Sequence, residues 1–178
     1  MSPSPSETEA ADHFVRLGLP RRFSLERDAI EDAYLERARV VHPDRFTNAP
    51  VGEQRKAMER SSALNEGYRI LRDPVRRAEY LVKLAGVDVD SSDPKAGAPH
   101  MDQAFLIAMI ERREEVEQAR AQGASALEGL RGRVEDQLEE IFDRAIEQLD
   151  AGDIQQAALA LVERRYLQRL VDEIDSSS

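Results

Sequence analysis

Apolar residues recur at three- and four-residue steps along most of the chain, the pattern of helices that bury one face. In the first half this pattern predicts a short helix ending at Gly18, then helices over about residues 25–41, 51–72 and 74–85. In the second half it predicts helices over about residues 102–121, 126–150 and 154–174. Because segments rich in Ala, Leu, Glu and Arg also favour helix over strand, we predict an all-α fold.

The second and third predicted helices carry facing apolar stripes. Tyr34 and Val41 lie on the first stripe, and Leu64 and Tyr68 lie on the second. Antiparallel pairing would bury both stripes, so we predict a helical hairpin with the two tyrosines packed in its core. At the helix starts, Ser24 is predicted to cap the second helix, and Asp73-Pro74 to cap and begin the fourth.

The composition of the intervening segments divides the chain into parts. Residues 1–10 are rich in Ser, Pro and Glu and are predicted to be a disordered tail. Residues 86–100, rich in Gly, Ser and Pro, are predicted to be a linker between domains 11–85 and 101–175. In the second domain, a near-heptad stripe predicts the spine of an antiparallel three-helix bundle: Leu127, Leu130, Val134, Leu138, Ile141, Ala145 and Leu149.

The hairpin connection begins with His42-Pro43-Asp44 and extends through Pro50. Proline lacks a backbone N–H and disfavours helix at the residue before it, so the second helix must end at or just before His42. Taken alone, the tripeptide is a common turn signal. His42 and Asp44 are also the residue types of an acid–base pair, which leaves a small hydrolase as an alternative.

The helix that begins near Asp102 has more apolar residues than one buried stripe needs. At about 100° per residue, its core face is predicted to hold a set spaced three, four and seven apart: Phe105, Ala108, Met109, Val116 and Ala119. A second apolar patch lies on the far side, flanked by acids: Leu106, Ile107 and Ile110, with Glu111 and Glu114. Periodicity alone leaves two interpretations, a patch covered by the rest of the chain or a protein-binding site.

Charge and composition exclude several classes of function. Residues 1–84 hold 15 Lys+Arg against 14 Asp+Glu (+1), and residues 85–178 hold 10 against 21 (−11), so nucleic acid is an improbable partner for the acidic half. Cysteine is absent, which excludes disulfides and thiolate ligands. The three histidines lack the spacing of a helical metal site, and phosphate-loop motifs are absent, so we predict no metal, cofactor or enzymatic activity. The chain contains no run of about eighteen apolar residues, so we predict no membrane span. Its first residues are acidic, unlike an Arg-rich presequence, and we therefore predict a bacterial cytoplasmic protein.

Two helices joined by a loop that presents His-Pro-Asp resemble the J-domain of DnaJ-type co-chaperones. Further segments are similar to the HscB family of iron–sulfur cluster assembly co-chaperones over nearly the whole chain. They are residues 14–20 (FVRLGLP), 42–46 (HPDRF), Asn65 with Tyr68, Asp73-Pro74, residues 77–81 (RAEYL) and residues 105–115 (FLIAMIERREE).

This resemblance implies two partners. His42, Pro43 and Asp44 would bind the ATPase domain of an HscA or DnaK-type chaperone. The basic residues beside the loop, Arg37, Arg39 and Arg45, would steer it toward an acidic chaperone surface, or are ordinary solvated charges. A second set would bind the cluster scaffold IscU: Leu106, Ile107, Ile110, Glu111, Glu114 and Tyr166, the last standing where the family usually has phenylalanine. The implied function is a co-chaperone that delivers IscU and stimulates the chaperone's ATPase. A J-protein for a different client remains an alternative.

Overall fold

The computed structural model describes residues 12–91 and 99–176, and in these it contains seven α-helices and no strand. The helices are α1 (His13–Leu17), α2 (Arg27–Val41), α3 (Val51–Arg72), α4 (Pro74–Leu84), α5 (Gln103–Gln122), α6 (Ala124–Ala151) and α7 (Ile154–Asp175). The all-α prediction is therefore confirmed. The chain divides into two compact units, Met1–Leu81 and Val82–Ser178. The predicted tail over residues 1–10 and residues 92–98 of the predicted linker lie outside the described residues.

The first unit is built on the α2–α3 hairpin, with α1 packed against both helices. Its core contains five buried side chains: Phe14, Leu17, Ile30, Leu64 and Leu71. Burying a side chain of this size contributes about 1.5–3 kcal/mol, so these contacts hold the two long helices together. This core therefore fixes the two helices that carry the loop between them.

The helix starts in this unit follow local capping chemistry, with one exception. Asp12 caps α1 by accepting from the backbone N–H of Val15 (2.9 Å), and Asp73 caps α4 by accepting from Arg76 (3.1 Å). The prediction that Ser24 caps α2 is wrong. The N-cap is Glu26, which makes no side-chain cap bond, because Leu25 packs against the core and keeps this segment extended.

The second unit contains an antiparallel bundle of α5, α6 and α7. Arg144 pairs with Glu163, and Arg131 pairs with Asp175 (3.0 Å), so residues that are earlier on α6 meet residues that are later on α7. The predicted spine of α6 is buried from Leu127 to Ala145, while Leu149 is half-buried. Gly152 ends α6 in the left-handed region (φ 79°), and Asp153 caps α7.

The segment after α4 also packs within the second unit. Val87 and Val89 are buried, although both fall in the stretch predicted as linker. Arg165 on α7 donates to the carbonyl of Val89 (2.9 Å) and pairs with Asp90 (2.6 Å). Residues 87–90 are therefore held by the same helix that closes the bundle.

Candidate functional site

The His-Pro-Asp loop presents two polar side chains to solvent. His42 leaves α2 with an extended backbone (φ −58°, ψ 128°), and Pro43 then begins a single 3₁₀ turn, Pro43–Phe46. The Nδ1 atom of His42 accepts from the backbone N–H of Asp44 (3.3 Å), which in the neutral ring places the proton on Nε2. The two side chains are 58% and 85% exposed. The bond at Nδ1 orients the ring, and the exposed side chain leaves Nε2–H as the donor it can offer to a partner.

Hydrogen bonds to the backbone hold this loop in shape. Arg45 donates to the carbonyl of Arg39 in the last turn of α2 (3.1 Å), and the Thr47 hydroxyl donates to the carbonyl of Asp44 (3.2 Å). From α3, Gln54 donates to the carbonyl of Ala49 (2.8 Å). Gln54 and Thr47 are supporting residues that the sequence pattern did not single out, since a side chain bonded to a loop carbonyl leaves no periodic signal.

A pair of stacked tyrosines braces the two long helices behind the loop. The rings of Tyr34 and Tyr68 lie 4.2 Å apart, and the Tyr34 hydroxyl donates to Asn65 (2.9 Å). The Tyr68 hydroxyl donates to Glu31 (2.9 Å), and this bond raises the pKa of Tyr68 above its usual value. Both tyrosines were predicted inside the hairpin core, but their rings are half-buried and pack against that core, and their hydroxyls form hydrogen bonds at the surface.

The three predicted basic residues do not form one patch. Arg39 and Arg45 lie together, joined by the bond to the Arg39 carbonyl. Arg37 stands two residues before Arg39, about 200° around the helix, and its guanidinium lies against Gly18 at the end of α1. A Cβ at Gly18 would collide with that guanidinium. The structure therefore separates Arg37 from the loop residues.

The predicted apolar patch on α5 is exposed. Asp102 caps the helix by accepting from Phe105 (2.7 Å), which fixes where α5 begins. Leu106, Ile107 and Ile110 are 42%, 48% and 59% exposed, and both flanking acids are exposed as well. These five residues, Leu106, Ile107, Ile110, Glu111 and Glu114, are called the α5 strip below.

The first half of α5 is less buried than its second half. Val116 and Ala119 are buried as predicted, and Phe105 and Met109 are half-buried. Ala108, which was predicted on the core face, is exposed. Ala108 lines an open cavity of about 290 Å³ between α5, α6 and α7, and its methyl group is too short to fill it.

Tyr166 joins part of the α5 strip across the bundle. Its ring meets Phe105 edge-on, with 5.5 Å between the centroids. A groove of about 240 Å³ is lined by Leu106, Ile110 and Tyr166, with Met109, Arg113, Arg169 and Leu170. Ile107, Glu111 and Glu114 lie further round α5 and do not line it. Arg113 and Arg169 add two cations to a site that was predicted as an apolar patch flanked only by acids.

The exposed positions of His42 and Asp44 do not favour the alternative of a small hydrolase. His42 and Asp44 are open to solvent, whereas acid–base chemistry needs a pocket that positions a substrate. Within residues 12–91 and 99–176, no group of three or more His, Cys, Asp or Glu could hold a metal ion. Over the same ranges, no helix is both long enough and apolar enough to cross a bilayer.

The hairpin with its polar loop and the separate helical bundle define a class of protein, the J-domain co-chaperones. A DnaJ domain model matches residues 12–80, and a model described as the HSCB C-terminal oligomerisation domain matches residues 101–175. The chain belongs to the HscB family of co-chaperones.

Curated relatives and solved structures agree with this family. A "Co-chaperone protein HscB homolog" of Azoarcus sp. strain BH72 is 39% identical over 168 residues, 93% of each chain. A relative of the same description in Bordetella pertussis is 38% identical, covering 94% of this chain and 96% of that protein. Among structures, the chaperone HscB from Vibrio cholerae has a TM-score of 0.77 at 26% identity, covering 94% of this chain and 97% of that one. The human co-chaperone protein HscB has a TM-score of 0.79 at 25% identity, covering 99% and 85%.

These findings confirm the resemblance and the fold class. They also confirm that the chain is not an enzyme, since the relatives are named as co-chaperones. A J-domain implies a partner chaperone of the Hsp70 type. The residues that bind this partner and the client remain predictions.

Proposed function

We propose that this co-chaperone binds the iron–sulfur scaffold IscU, delivers it to an HscA or DnaK-type chaperone and stimulates that chaperone's ATPase. One observation carries the proposal: each unit exposes one surface suited to a protein partner, a rigid polar loop at residues 42–45 and the apolar α5 strip. The proposal assigns residues 11–85 to the chaperone and 101–175 to the scaffold, with 86–100 connecting them. It places this function in the bacterial cytoplasm.

In the chaperone contact, the proposed roles follow from the chemistry of the loop. His42 offers an Nε2–H donor, and Asp44 offers a carboxylate to a cation of the chaperone. Arg39 and Arg45, and more distantly Arg37, would speed encounter with an acidic surface. The loop can promote hydrolysis only by binding the hydrolysis-competent conformation more tightly than the other conformations.

In the scaffold contact, the proposed binding energy comes from apolar burial. Leu106 and Ile110 with Tyr166 offer an apolar groove, while Ile107, Glu111 and Glu114 extend the contact around α5. Holding scaffold and chaperone on one chain raises the effective concentration of each for the other. The co-chaperone therefore accelerates delivery without reacting with either partner.

Steady-state ATPase of the chaperone tests this proposal. We expect stimulation by the co-chaperone, further stimulation when IscU is added, and loss of both with His42→Gln. Because His42 is exposed, the variant should fold normally, which its circular dichroism checks. Full stimulation by the variant would refute the chaperone role. Stimulation without any IscU effect, together with failure of IscU to bind, would indicate a J-protein for a different client.

A further inference from the structure

The groove between α5 and α7 has an apolar end and a cationic end. On each helix its lining residues lie at three- and four-residue steps, so they form one stripe per helix. Leu106 begins the α5 stripe and Arg113 ends it, while Tyr166 begins the α7 stripe. The ring of Phe105 meets that of Tyr166 at the first end (5.5 Å between centroids), and Arg113 lies 3.9 Å from Glu173 at the other. The two stripes therefore run in the same direction, from apolar side chains to cations.

Of the two cations in this groove, Arg169 is the one without a carboxylate partner. Its guanidinium lies over the ring of Tyr166, 5.7 Å from the centroid, and this cation–π contact holds it beside the apolar lining. Arg113 has Glu173 as a partner (3.9 Å), whereas Arg169 forms no ion pair with any carboxylate of residues 12–91 and 99–176. The groove therefore offers one positioned cation that a carboxylate from outside can approach.

A cation at the edge of an apolar groove binds a carboxylate more strongly once a partner covers it. In the open groove, water screens the guanidinium of Arg169. When apolar side chains of a partner fill the groove and exclude water, a carboxylate beside Arg169 forms a charge-assisted hydrogen bond in a medium of lower dielectric constant. Glu111 and Glu114 of the α5 strip are exposed outside the groove and repel a carboxylate. A carboxylate of the partner is therefore favoured on the α7 side and disfavoured along the acidic side of α5.

We propose that Arg169 is a specificity-determining residue that binds a carboxylate of the scaffold, while the apolar end of the groove takes apolar side chains of the same segment. The rise along α5 from Leu106 to Arg113 is about 10 Å, so this carboxylate lies within about 10 Å of those side chains. The segment can bind in one direction only, because reversing it buries the carboxylate against apolar residues. The inference rests on the proposed function and deepens it, since it names the group that is recognised and the direction of the bound segment.

Calorimetric titration of the full chain with IscU separates the charge of Arg169 from its bulk. Arg169→Met keeps a long aliphatic side chain over Tyr166 but removes the cation, and should weaken IscU binding roughly tenfold. Arg169→Lys keeps the cation and should weaken binding by less than about threefold. Arg133→Met removes the same charge from an exposed position of α6 outside the groove, and should bind like the unchanged protein. Because Arg169 is exposed, its variants should fold normally, which circular dichroism checks.

Double-mutant cycles identify the carboxylate and exclude a merely structural role. Each surface Asp and Glu of IscU is changed in turn to Asn or Gln and titrated into the unchanged protein and into Arg169→Met. One IscU variant should bind the unchanged protein roughly tenfold more weakly and show no further loss with Arg169→Met. Equal affinities of Arg169→Met and Arg133→Met for IscU would overturn the inference and leave the scaffold role standing, as would the absence of any coupled IscU carboxylate. Failure of IscU to bind the unchanged protein would overturn both.

Discussion

The loop at residues 42–45 and the α5 strip are both exposed, but they are built on opposite principles. The loop is polar, and its shape depends on directional hydrogen bonds from Arg45 and Thr47 to backbone carbonyls. The α5 strip is apolar, and its shape depends only on the helix that carries it. A partner of the loop must match donors and acceptors, whereas a partner of the strip must match shape and exclude water.

This difference determines how each surface is damaged. Replacing one exposed polar side chain of the loop removes a specific donor or acceptor, while the bonds from Arg45 and Thr47 to backbone carbonyls remain. The α5 strip contains three adjacent aliphatic side chains, so the loss of one is partly covered by the others. We therefore expect single substitutions to be decisive in the loop and double substitutions to be needed in the strip.

The largest expected effect is on client binding. Changing Leu106 and Ile107 together to Ala should weaken IscU binding by about 2 kcal/mol or more, because adjacent exposed apolar side chains that a partner buries act as a hot spot. Calorimetric titration with IscU measures the change. Stimulation of the chaperone in the absence of IscU should be unaffected, which serves as the internal control. Undiminished affinity would contradict the assignment of the strip.

The second largest effect is expected for the contact between the loop at residues 42–45 and the chaperone. Asp44→Asn keeps the backbone N–H that His42 accepts from and the carbonyl that Thr47 donates to, but it removes the carboxylate charge. Loss of one charge-assisted bond should weaken the chaperone contact by about 1.5 kcal/mol, or roughly tenfold. Titration of the co-chaperone into the ATPase assay gives this value. A superimposable titration curve would show that the carboxylate makes no contact.

A smaller effect is expected for the stacked pair Tyr34 and Tyr68. Tyr68→Phe keeps the stacking on Tyr34 but loses the bond to Glu31, and should lower the free energy of unfolding by about 0.5 to 1 kcal/mol. Urea denaturation measures this. Tyr34→Phe, which loses the bond to Asn65, is the matched variant and should behave alike. If both variants are as stable as the unchanged protein, stacking alone braces the helices.

The smallest effect is a pH dependence from His13. Its ring packs on Tyr80 (4.5 Å between centroids) and its Nδ1 contacts the Arg16 guanidinium (3.0 Å). Burial and then Arg16 lower the pKa of His13 below 6.5, while Glu66 and Asp12 oppose the shift. His13 therefore binds a proton more readily in the unfolded chain than in the folded protein. The free energy of unfolding is highest above pH 6.5, the pKa of His13 in the unfolded chain, and it falls as the pH drops from there toward the lower pKa of the folded protein. Urea denaturation at a series of pH values should show this decline, and His13→Gln should flatten it. An equal slope in the variant would assign the decline to other groups.

Several elements of the fold could be predicted because their causes are local. Pro43 ends α2 through its missing N–H, and Asp73 caps α4 through its side chain, as the neighbouring residues require. Counting apolar residues against the width of one buried face showed that α5 has an excess of them, but only the structure shows that Ile107 and Ile110 are exposed. Ser24 is the exception, because the neighbouring Leu25 packs against the core and the helix begins later, with Glu26 as its N-cap.

The amino-acid sequence by itself determined the seven helices, the loop at residues 42–45 and the apolar excess of α5, because hydrogen bonding and periodicity act within a few residues. Only the tertiary structure decided that Tyr166 lines the same groove as Leu106, that Ala108 is exposed, and that Val87 and Val89 are buried. These outcomes depend on which helix lies beside which. A groove shared by residues sixty positions apart results from packing the whole bundle, and the local pattern around either residue does not contain it.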